Sequence, residues 1–167
     1  MRPSVVSVSA MDEPELTARE AFTVAGLKYR GANEKGEISE LWSAFGKRSE
    51  RFASIAASGD AYGVSFNFDD ETNAFDYVAG VEVGPDAEIP EDMHTVDVPE
   101  QTYAIFTCTL DELGETIDGI YQEWLPESQY ARVASPEFEH YDPEFDASDA
   151  NSTLELYLPV TETQPYG

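Results

Sequence analysis

One order of sequence patterns occurs twice along this chain, at a spacing of about 80 residues. The first copy begins with the β-branched and aromatic run 20–30, followed by apolar residues at helical spacing from 37 to 56. The Ser-Gly-Asp sequence at 58–60 is expected to end this helix. Runs 62–68 and 75–83 then predict two strands, so the first copy has the order β-α-β-β.

The second copy repeats this order after a connection rich in proline and acidic residues. Runs 94–98 and 102–110 predict strands, and the apolar stripe 113–124 predicts a helix that ends at the following proline. Two further strands are predicted at 137–141 and 153–160. The chain therefore carries a second β-α-β-β unit.

Two such units are expected to form one pseudo-symmetric domain, because each sheet needs a partner face to bury. We predict an α+β fold with an antiparallel sheet and helices on one of its faces. The domain is expected to span 1–160, with repeat 1 at about 16–84 and repeat 2 at about 93–160. Residues 161–167 are expected to be a flexible tail.

The charge of the chain excludes several classes of partner. There are 9 basic and 34 acidic residues, a net charge of −25, which disfavours binding to nucleic acids and to anionic membrane surfaces. Adaptation to high salt and mimicry of DNA both explain such acidity. The acidic residues are spread along the whole chain and form no stripe, so we favour salt adaptation and a halophilic source.

Most common site types are missing from the sequence. Cys108 is the only cysteine and has no visible reason to be a nucleophile, and His94 and His140 lack metal-ligand spacing. No phosphate-binding glycine loop or nucleophile elbow is present, so neither a cofactor nor a metal is expected. Without a signal peptide or a run of ~20 apolar residues, the chain is expected to be cytoplasmic.

The aromatic residues provide the best chemical clue. A carboxylate among tyrosine and tryptophan rings would attract a lipophilic cation, and each ring face would add roughly 0.5–2 kcal/mol of cation–π attraction. Such a carboxylate also needs hydrogen bonds from phenol hydroxyls, because a lone buried charge is costly.

Strand alternation suggests which side chains could form such a site. If Phe138 is in the core, Glu139 and Tyr141 point to the other face of their strand. In the last strand Tyr157 points away from a leucine face that should pack on the helices. Alternation alone leaves open whether Glu139 is an ordinary exposed acid or a buried anion.

Several segments resemble the GyrI-like effector-binding domains of drug-responsive bacterial transcription regulators. The resemblance extends from Phe22 to Val160 and rests on the order and spacing of short segments: Phe22–Leu27, Ile38–Trp42, Tyr62–Val64, Tyr77–Val83, Tyr103–Phe106, Glu123–Ser128, Pro136–Asp142 and Leu156–Val160. It implies tandem β-α-β-β modules with a central cleft that binds hydrophobic, often cationic, drug-like molecules.

The resemblance also implies particular site residues. Glu139 corresponds to the family's central glutamate, which anchors ligands among aromatic rings. Tyr157 matches an aromatic residue of the last strand, and Trp124 lies in a helix-ending segment of the family. Tyr77 and Tyr103 are implied as lining residues, and Tyr141 joins them because it shares a face with Glu139.

We therefore expect a stand-alone small-molecule-binding protein, and an enzyme is the less favoured alternative. In that alternative the protein hydrolyses cyclopropane-bearing, DNA-alkylating toxins, with Glu139 as general base and a tyrosine hydroxyl as donor to the oxyanion. A further alternative is a protein that inhibits DNA gyrase. The chain before Phe22 has no room for a helix-turn-helix module, so a complete regulator is not expected.

Overall fold

Nine strands form the main structure of the protein. The computed structural model describes residues 14–146 and 148–162. All the strand pairings in this part of the chain are antiparallel. The strands are β1 (Glu15–Arg19), β2 (Phe22–Gly31), β3 (Ala56–Phe66), β4 (Phe75–Val83), β5 (His94–Val98), β6 (Gln101–Thr109), β7 (Tyr130–Arg132), β8 (Glu137–Tyr141) and β9 (Thr153–Glu162).

The strand order shows how the two units join. Along the sheet the order is β1-β6-β9-β8-β3-β4-β2-β5, and β7 pairs with β9 beside this path. The first unit contributes β2, β4 and β3, the second contributes β6, β9 and β8, and the two meet where β3 pairs with β8. The strand that precedes each unit pairs with the first strand of the other, β1 with β6 and β5 with β2.

The helices lie between the first and second principal strands of each unit. In the first unit α1 (Glu37–Lys47) and α2 (Ser49–Ile55) follow β2. In the second unit α3 (Leu113–Gly119) continues through a π-helical turn, Ile120–Trp124, and ends in α4 (Leu125–Glu127). Glu37 and Glu40 in the first turn of α1 and Lys47 in its last turn match the direction of the helix dipole.

Side chains on one face of the sheet, here called the helix-bearing face, pack against these helices. Its core beneath α1 and α2 includes Ala25 and Val81, which contact Phe52. Its core beneath α3 includes Leu156, together with Ile120 of the π-helical turn. The helices of the first unit thus cover one end of this face and those of the second unit cover the other end. The part of the sheet between them is free for other contacts.

The opposite face, here called the second face, is buried without any helix in its core cluster. Phe138 is 2% exposed, and its ring lies 4.5–5.8 Å from the rings of four aromatic residues: Phe22, Tyr62, Tyr103 and Tyr157. Valines from β2, β3, β4 and β5 complete this cluster. Burial on both faces explains why β4 is apolar at most of its positions.

The predicted α+β fold of two β-α-β-β units is confirmed, with local differences. The predicted helix 37–56 is two helices, and β3 begins at Ala56, so the 58–60 sequence lies in a strand. The register of β3 against β4 shifts between Ala56 and Ala61, where a bulge accommodates those polar residues. Strand β1 (ELTAR) is absent from the sequence prediction because it is mostly polar, and β7 because it has only three residues.

The predicted tail begins too early. Strand β9 continues to Glu162, since Thr161 and Glu162 pair with β7, a partner strand that the sequence did not reveal. Residues 163–167 lie outside the part of the chain that the structure describes.

We expect Phe138→Ala to destabilise the protein by about 3–5 kcal/mol, because it leaves a cavity among four aromatic rings. Urea unfolding followed by tryptophan fluorescence measures this change. Leu16→Ala is the control, because Leu16 is 38% exposed on an edge strand and its loss should cost about 1 kcal/mol or less. Equal losses in the two variants would contradict the described core.

Candidate functional site

A cavity of about 1060 Å³ lies on the helix-bearing face between α1 and α3. Helix α1 contributes Ile38, Trp42 and Phe45, and the second helical segment contributes Ile117 and Tyr121. Residues of β3, β4, β8 and β9 also line the cavity, so it covers the seam where the two units pair.

Glu139 lies at this seam. In the ladders it is opposite Gly63 of β3 and Leu156 of β9, which places it on the helix-bearing face. It lines the cavity and is partly buried. Gly63 is needed beneath it, since a Cβ at that position would lie 2.0 Å from the Tyr77 hydroxyl and 2.9 Å from Glu139 Oε1.

Two phenol hydroxyls hold the Glu139 carboxylate. Tyr77 donates to Oε1 at 2.9 Å and Tyr141 donates to the same oxygen at 2.8 Å. The indole Nε1–H of Trp42 in turn donates to the Tyr77 hydroxyl at 2.8 Å. Because both phenols donate to Oε1, the other carboxylate oxygen accepts from neither of them and remains available to a ligand.

The electrostatic environment of Glu139 leaves its charge incompletely compensated. Burial raises the pKa of Glu139; the hydrogen bonds from Tyr141 and Tyr77 oppose this rise, and the nearby charge of Glu137 adds to it. Burial also raises the pKa values of the Tyr77 and Tyr141 phenols, and the Glu139 charge raises them further. Both hydroxyls therefore keep their protons and act as donors.

The charged residues that line the cavity are all acidic. Among the described residues its lining contains no lysine, arginine or histidine, but it contains Glu137, Glu139 and Asp142. Trp42 and Tyr141 add aromatic surface next to Glu139, with their ring centroids 5.2 Å apart. An acidic floor with aromatic walls suits an organic cation, because charge attraction and cation–π contacts act on the same group.

A second carboxylate on β8 has a different environment. Glu137 shares the face of Glu139, and its Oε1 accepts hydrogen bonds from Tyr121 at 2.6 Å and from two nitrogens of Arg132 at 3.0 and 3.1 Å. This acid is neutralised by an ion pair within the protein, whereas Glu139 is hydrogen-bonded but has no cationic partner among the described residues.

Three of the six predicted site residues come together in the structure. Glu139, Tyr77 and Tyr141 form the hydrogen-bonded group on the cavity floor. The prediction that Trp124 lines the cleft is wrong. Trp124 is not among the residues that line the cavity, and its indole packs against the core beneath α3. The Trp124 ring lies 5.1 Å from that of Phe106 and stacks on Tyr130. The π-helical turn that carries Trp124 directs it toward the sheet rather than into the cavity.

The rings of Tyr157 and Tyr103, both predicted to line the cleft, lie on the second face, away from the Glu139 carboxylate. Tyr157 borders the cavity, but it is opposite Phe138 in the ladder and stacks on that ring at 4.5 Å. Tyr103 is fully buried and packs against the same ring. In an antiparallel pair, directly opposite residues share a face, so this register separates Tyr157 from Glu139.

The sequence prediction missed several residues of the site. Trp42 and Phe45 belong to the apolar helical stripe of the first unit and were not predicted as site residues, yet both line the cavity and Trp42 donates to Tyr77. Gly63 and Tyr121 were not considered as site residues. The signal that could have identified Trp42 and Phe45 as cavity residues is their position on an apolar helix next to Glu139, which has no cationic partner in the described part of the chain. That proximity is visible only when the strand order is known.

The part of the chain that the structure describes contains neither a metal-binding cluster nor a membrane-spanning helix. No group of three or more His, Cys, Asp or Glu residues there is placed to hold a metal ion. Within residues 14–146 and 148–162, none of the helices has the length and apolar character needed to cross a membrane.

Comparison with known proteins places this fold in a recognised group. The model of the Cass2 family, described as integron-associated effector binding protein, matches residues 15–160. The transcriptional regulator BrlR of Pseudomonas aeruginosa is 34% identical over 148 residues, which are 87% of this chain and 54% of BrlR. The chain thus spans about half the length of this relative. The putative transcriptional regulator protein YobU of Bacillus subtilis is 27% identical over 71% of this chain and 79% of its own.

Solved structures show the same fold at low sequence identity. SAV2435 bound to tetraphenylphosphonium superposes with a TM-score of 0.74 at 16% identity, over 90% of this chain and 94% of its own. The integron cassette protein VCH_CASS2 from the mobile metagenome of Vibrio cholerae gives 0.68 at 19% identity, over 90% of this chain and 97% of its own. The C-terminal domain of EcmrR gives 0.67 at 13% identity, over 90% of this chain and 98% of its own. The chain is thus related to effector-binding domains.

Gly63→Ala is expected to destabilise the protein by roughly 1–3 kcal/mol, because the new methyl group overlaps the Tyr77 hydroxyl in a packed site. Chemical denaturation measures the loss. Gly84→Ala is the matched control, since a Cβ at Gly84 has no heavy atom within 4 Å. If the two variants were equally stable, the close packing of Gly63 under Tyr77 would be refuted.

Tyr141→Phe is expected to raise the pKa of Glu139, because the ionised carboxylate loses one of its two phenol donors. Carbon-detected NMR titration of the glutamate carboxyl groups measures this pKa. Tyr157→Phe removes a hydroxyl on the opposite face and should leave the titration unchanged. An unchanged or lower pKa in Tyr141→Phe would show that this phenol does not stabilise the charge.

Proposed function

This chain belongs to the Cass2 family of integron-associated effector-binding proteins, and we propose that it binds a lipophilic organic cation in the cavity at the seam of its two units. Glu139 supplies the counter-charge, and the rings around it contact the apolar part of the ligand. The ligand class is that of flat or branched aromatic compounds with a delocalised or shielded positive charge.

One observation carries this proposal: Glu139 is a carboxylate that the protein holds without a cation on the floor of an aromatic cavity. Burying an uncompensated charge costs several kcal/mol, and phenol hydrogen bonds offset only part of that cost. A bound cation would supply the missing compensation. The protein thus retains a local instability that a ligand of the right charge relieves.

The shape of the cavity supports the same class of ligand. Its volume of about 1060 Å³ is slightly above the roughly 300–1,000 Å³ found for small-molecule sites, so it has room for a drug-sized ligand. Most of the lining surface is apolar, so the pocket discriminates by charge and apolar area more than by a detailed pattern of donors and acceptors. A relative with the same fold was solved bound to tetraphenylphosphonium, a bulky aromatic cation.

The raised pKa of Glu139 gives the binding a pH dependence. Burial shifts this pKa upward, so the carboxylate takes up a proton at a higher pH than an exposed glutamate does. Cation binding should therefore be strongest above this pKa and decrease as the pH falls through it. Because the cation favours the ionised form, binding below this pKa releases a proton.

Glu139→Gln is expected to weaken binding of the cationic dye rhodamine 6G by at least about tenfold, since a missing charge partner in a buried site is worth more than ~1.4 kcal/mol. Fluorescence anisotropy titration measures the affinity. Stability should not fall, because glutamine keeps the phenol acceptor and removes the charge that burial disfavours. An acid whose pKa is raised on folding destabilises the folded state once the pH rises above its unfolded value.

A pair of ligands with similar shapes tests the role of charge separately. Methyltriphenylphosphonium and triphenylphosphine oxide differ mainly in net charge, and calorimetry should show that the wild type prefers the cation. The Glu139→Gln variant should lose this preference while retaining the contribution of the aromatic walls. Equal affinity of wild type and variant for rhodamine 6G would contradict the anchoring role of Glu139.

A further inference from the structure

Arg132 forms an ion pair with Glu137, the second glutamate of the cavity lining, although Arg132 itself is not part of that lining. The Arg132 guanidinium donates to Glu137 Oε1 through Nε at 3.1 Å and through a terminal nitrogen at 3.0 Å. It also lies 5.2 Å from the centre of the Phe68 ring and donates to the Tyr121 hydroxyl. A carboxylate, a phenol and an aromatic face thus surround one positive charge. We propose the same kind of surroundings for a cationic ligand at Glu139.

The position of Arg132 is well defined by its own contacts. One terminal nitrogen donates to the backbone carbonyl oxygen of Val133 at 2.9 Å, and the nitrogen that donates to Glu137 also donates to the carbonyl oxygen of Ser135 at 3.3 Å. Its side chain is only 22% exposed, as is that of Glu137. Burial alone would lower the pKa of Arg132, but the contacts with Glu137 and Tyr121 together outweigh this effect and raise the pKa, so the guanidinium stays charged.

The two carboxylates are close enough to act on one ligand. Glu137 and Glu139 are two residues apart on one strand face, a separation of about 7 Å along β8. Both line the cavity, together with Phe68 and Tyr121 from the group around Arg132. The charge of Glu137 is felt at Glu139, where it contributes to the raised pKa. Without Arg132 the cavity would hold two adjacent negative charges.

We infer that Arg132 limits the cavity to ligands with one positive charge, by neutralising Glu137 and leaving Glu139 as the only uncompensated acid of the pair. This inference rests on the proposed function and names the charge class of its ligands. A second cationic group on a ligand would have to displace Arg132, break its hydrogen bonds and face its positive charge. It therefore gains little from Glu137, whereas removal of Arg132 would create a site for that second charge.

Ethidium and propidium are the probes for this inference. They share a phenanthridinium ring system, and propidium carries an additional quaternary ammonium on a propyl arm. We expect Arg132→Met to improve the affinity for propidium relative to ethidium by on the order of tenfold, a change of ~1.4 kcal/mol, because the freed Glu137 carboxylate can pair with the second ammonium. Fluorescence titration with both dyes in the same buffer measures the ratio of their Kd values.

Three control variants isolate the effect. Arg51, on α2, forms an exposed ion pair with Asp92 away from the cavity lining. Arg51→Met removes the same amount of positive charge as Arg132→Met but should leave the ratio of Kd values unchanged. Arg132→Lys keeps a charge at the same place and should stay near the wild-type ratio. The double variant Arg132→Met/Glu137→Gln should lose the gain in propidium affinity, because the freed carboxylate is absent.

Glu137→Gln tests the inference in the opposite direction, should the loss of Arg132 prevent folding. It leaves the Arg132 charge uncompensated beside the cavity, so both dyes should bind more weakly and propidium should lose more than ethidium. An unchanged propidium-to-ethidium ratio in both Arg132→Met and Glu137→Gln would overturn the inference. Failure of the proposed function would look different: ethidium would not bind the wild type, or would bind Glu139→Gln equally well.

Discussion

The pairing of β3 with β8 is the interaction on which the rest of the site depends. This ladder joins the strands of the two units and places Glu139 directly opposite Gly63. The glycine leaves room for the Tyr77 hydroxyl, which reaches under the carboxylate from the next strand of the first unit. Tyr141 approaches from the second unit, so the anion is held by groups from both halves of the molecule. A site of this kind cannot exist in either unit alone.

The positions of the positive charges set Glu139 apart from the other acidic residues of the chain. The arginines that make ion pairs in the described structure have partners of their own: Arg19 with Glu82, Arg30 with Asp76, Arg51 with Asp92 and Arg132 with Glu137. None of them lies in the cavity lining. Surface carboxylates are solvated and screened by salt, whereas Glu139 is surrounded by apolar walls that preserve its field. Position, not the number of acids, makes this residue distinctive.

The two faces of the sheet divide the aromatic residues between a packed core and the lining of the cavity. On the second face, aromatic rings such as Phe138, Tyr103 and Tyr157 pack directly against one another. On the helix-bearing face the two helical segments stand apart, and rings such as Trp42 and Tyr141 border open volume instead. Identical residue types therefore serve different roles, depending on whether a helix or another ring covers them.

The sequence by itself determined the repeated β-α-β-β order and the bounds of several strands, since apolar periodicity is a local property of the chain. It also singled out Glu139 as a candidate, through the family resemblance. Alternation also paired Glu139 with Tyr141 correctly, because both lie on one strand. Only the tertiary structure decided that Tyr77 belongs with them while Tyr157 and Tyr103 do not. Alternation within one strand does not tell which of its faces meets which face of its neighbour. That assignment depends on the register between strands far apart in sequence, and a shift of one residue would exchange the two sets.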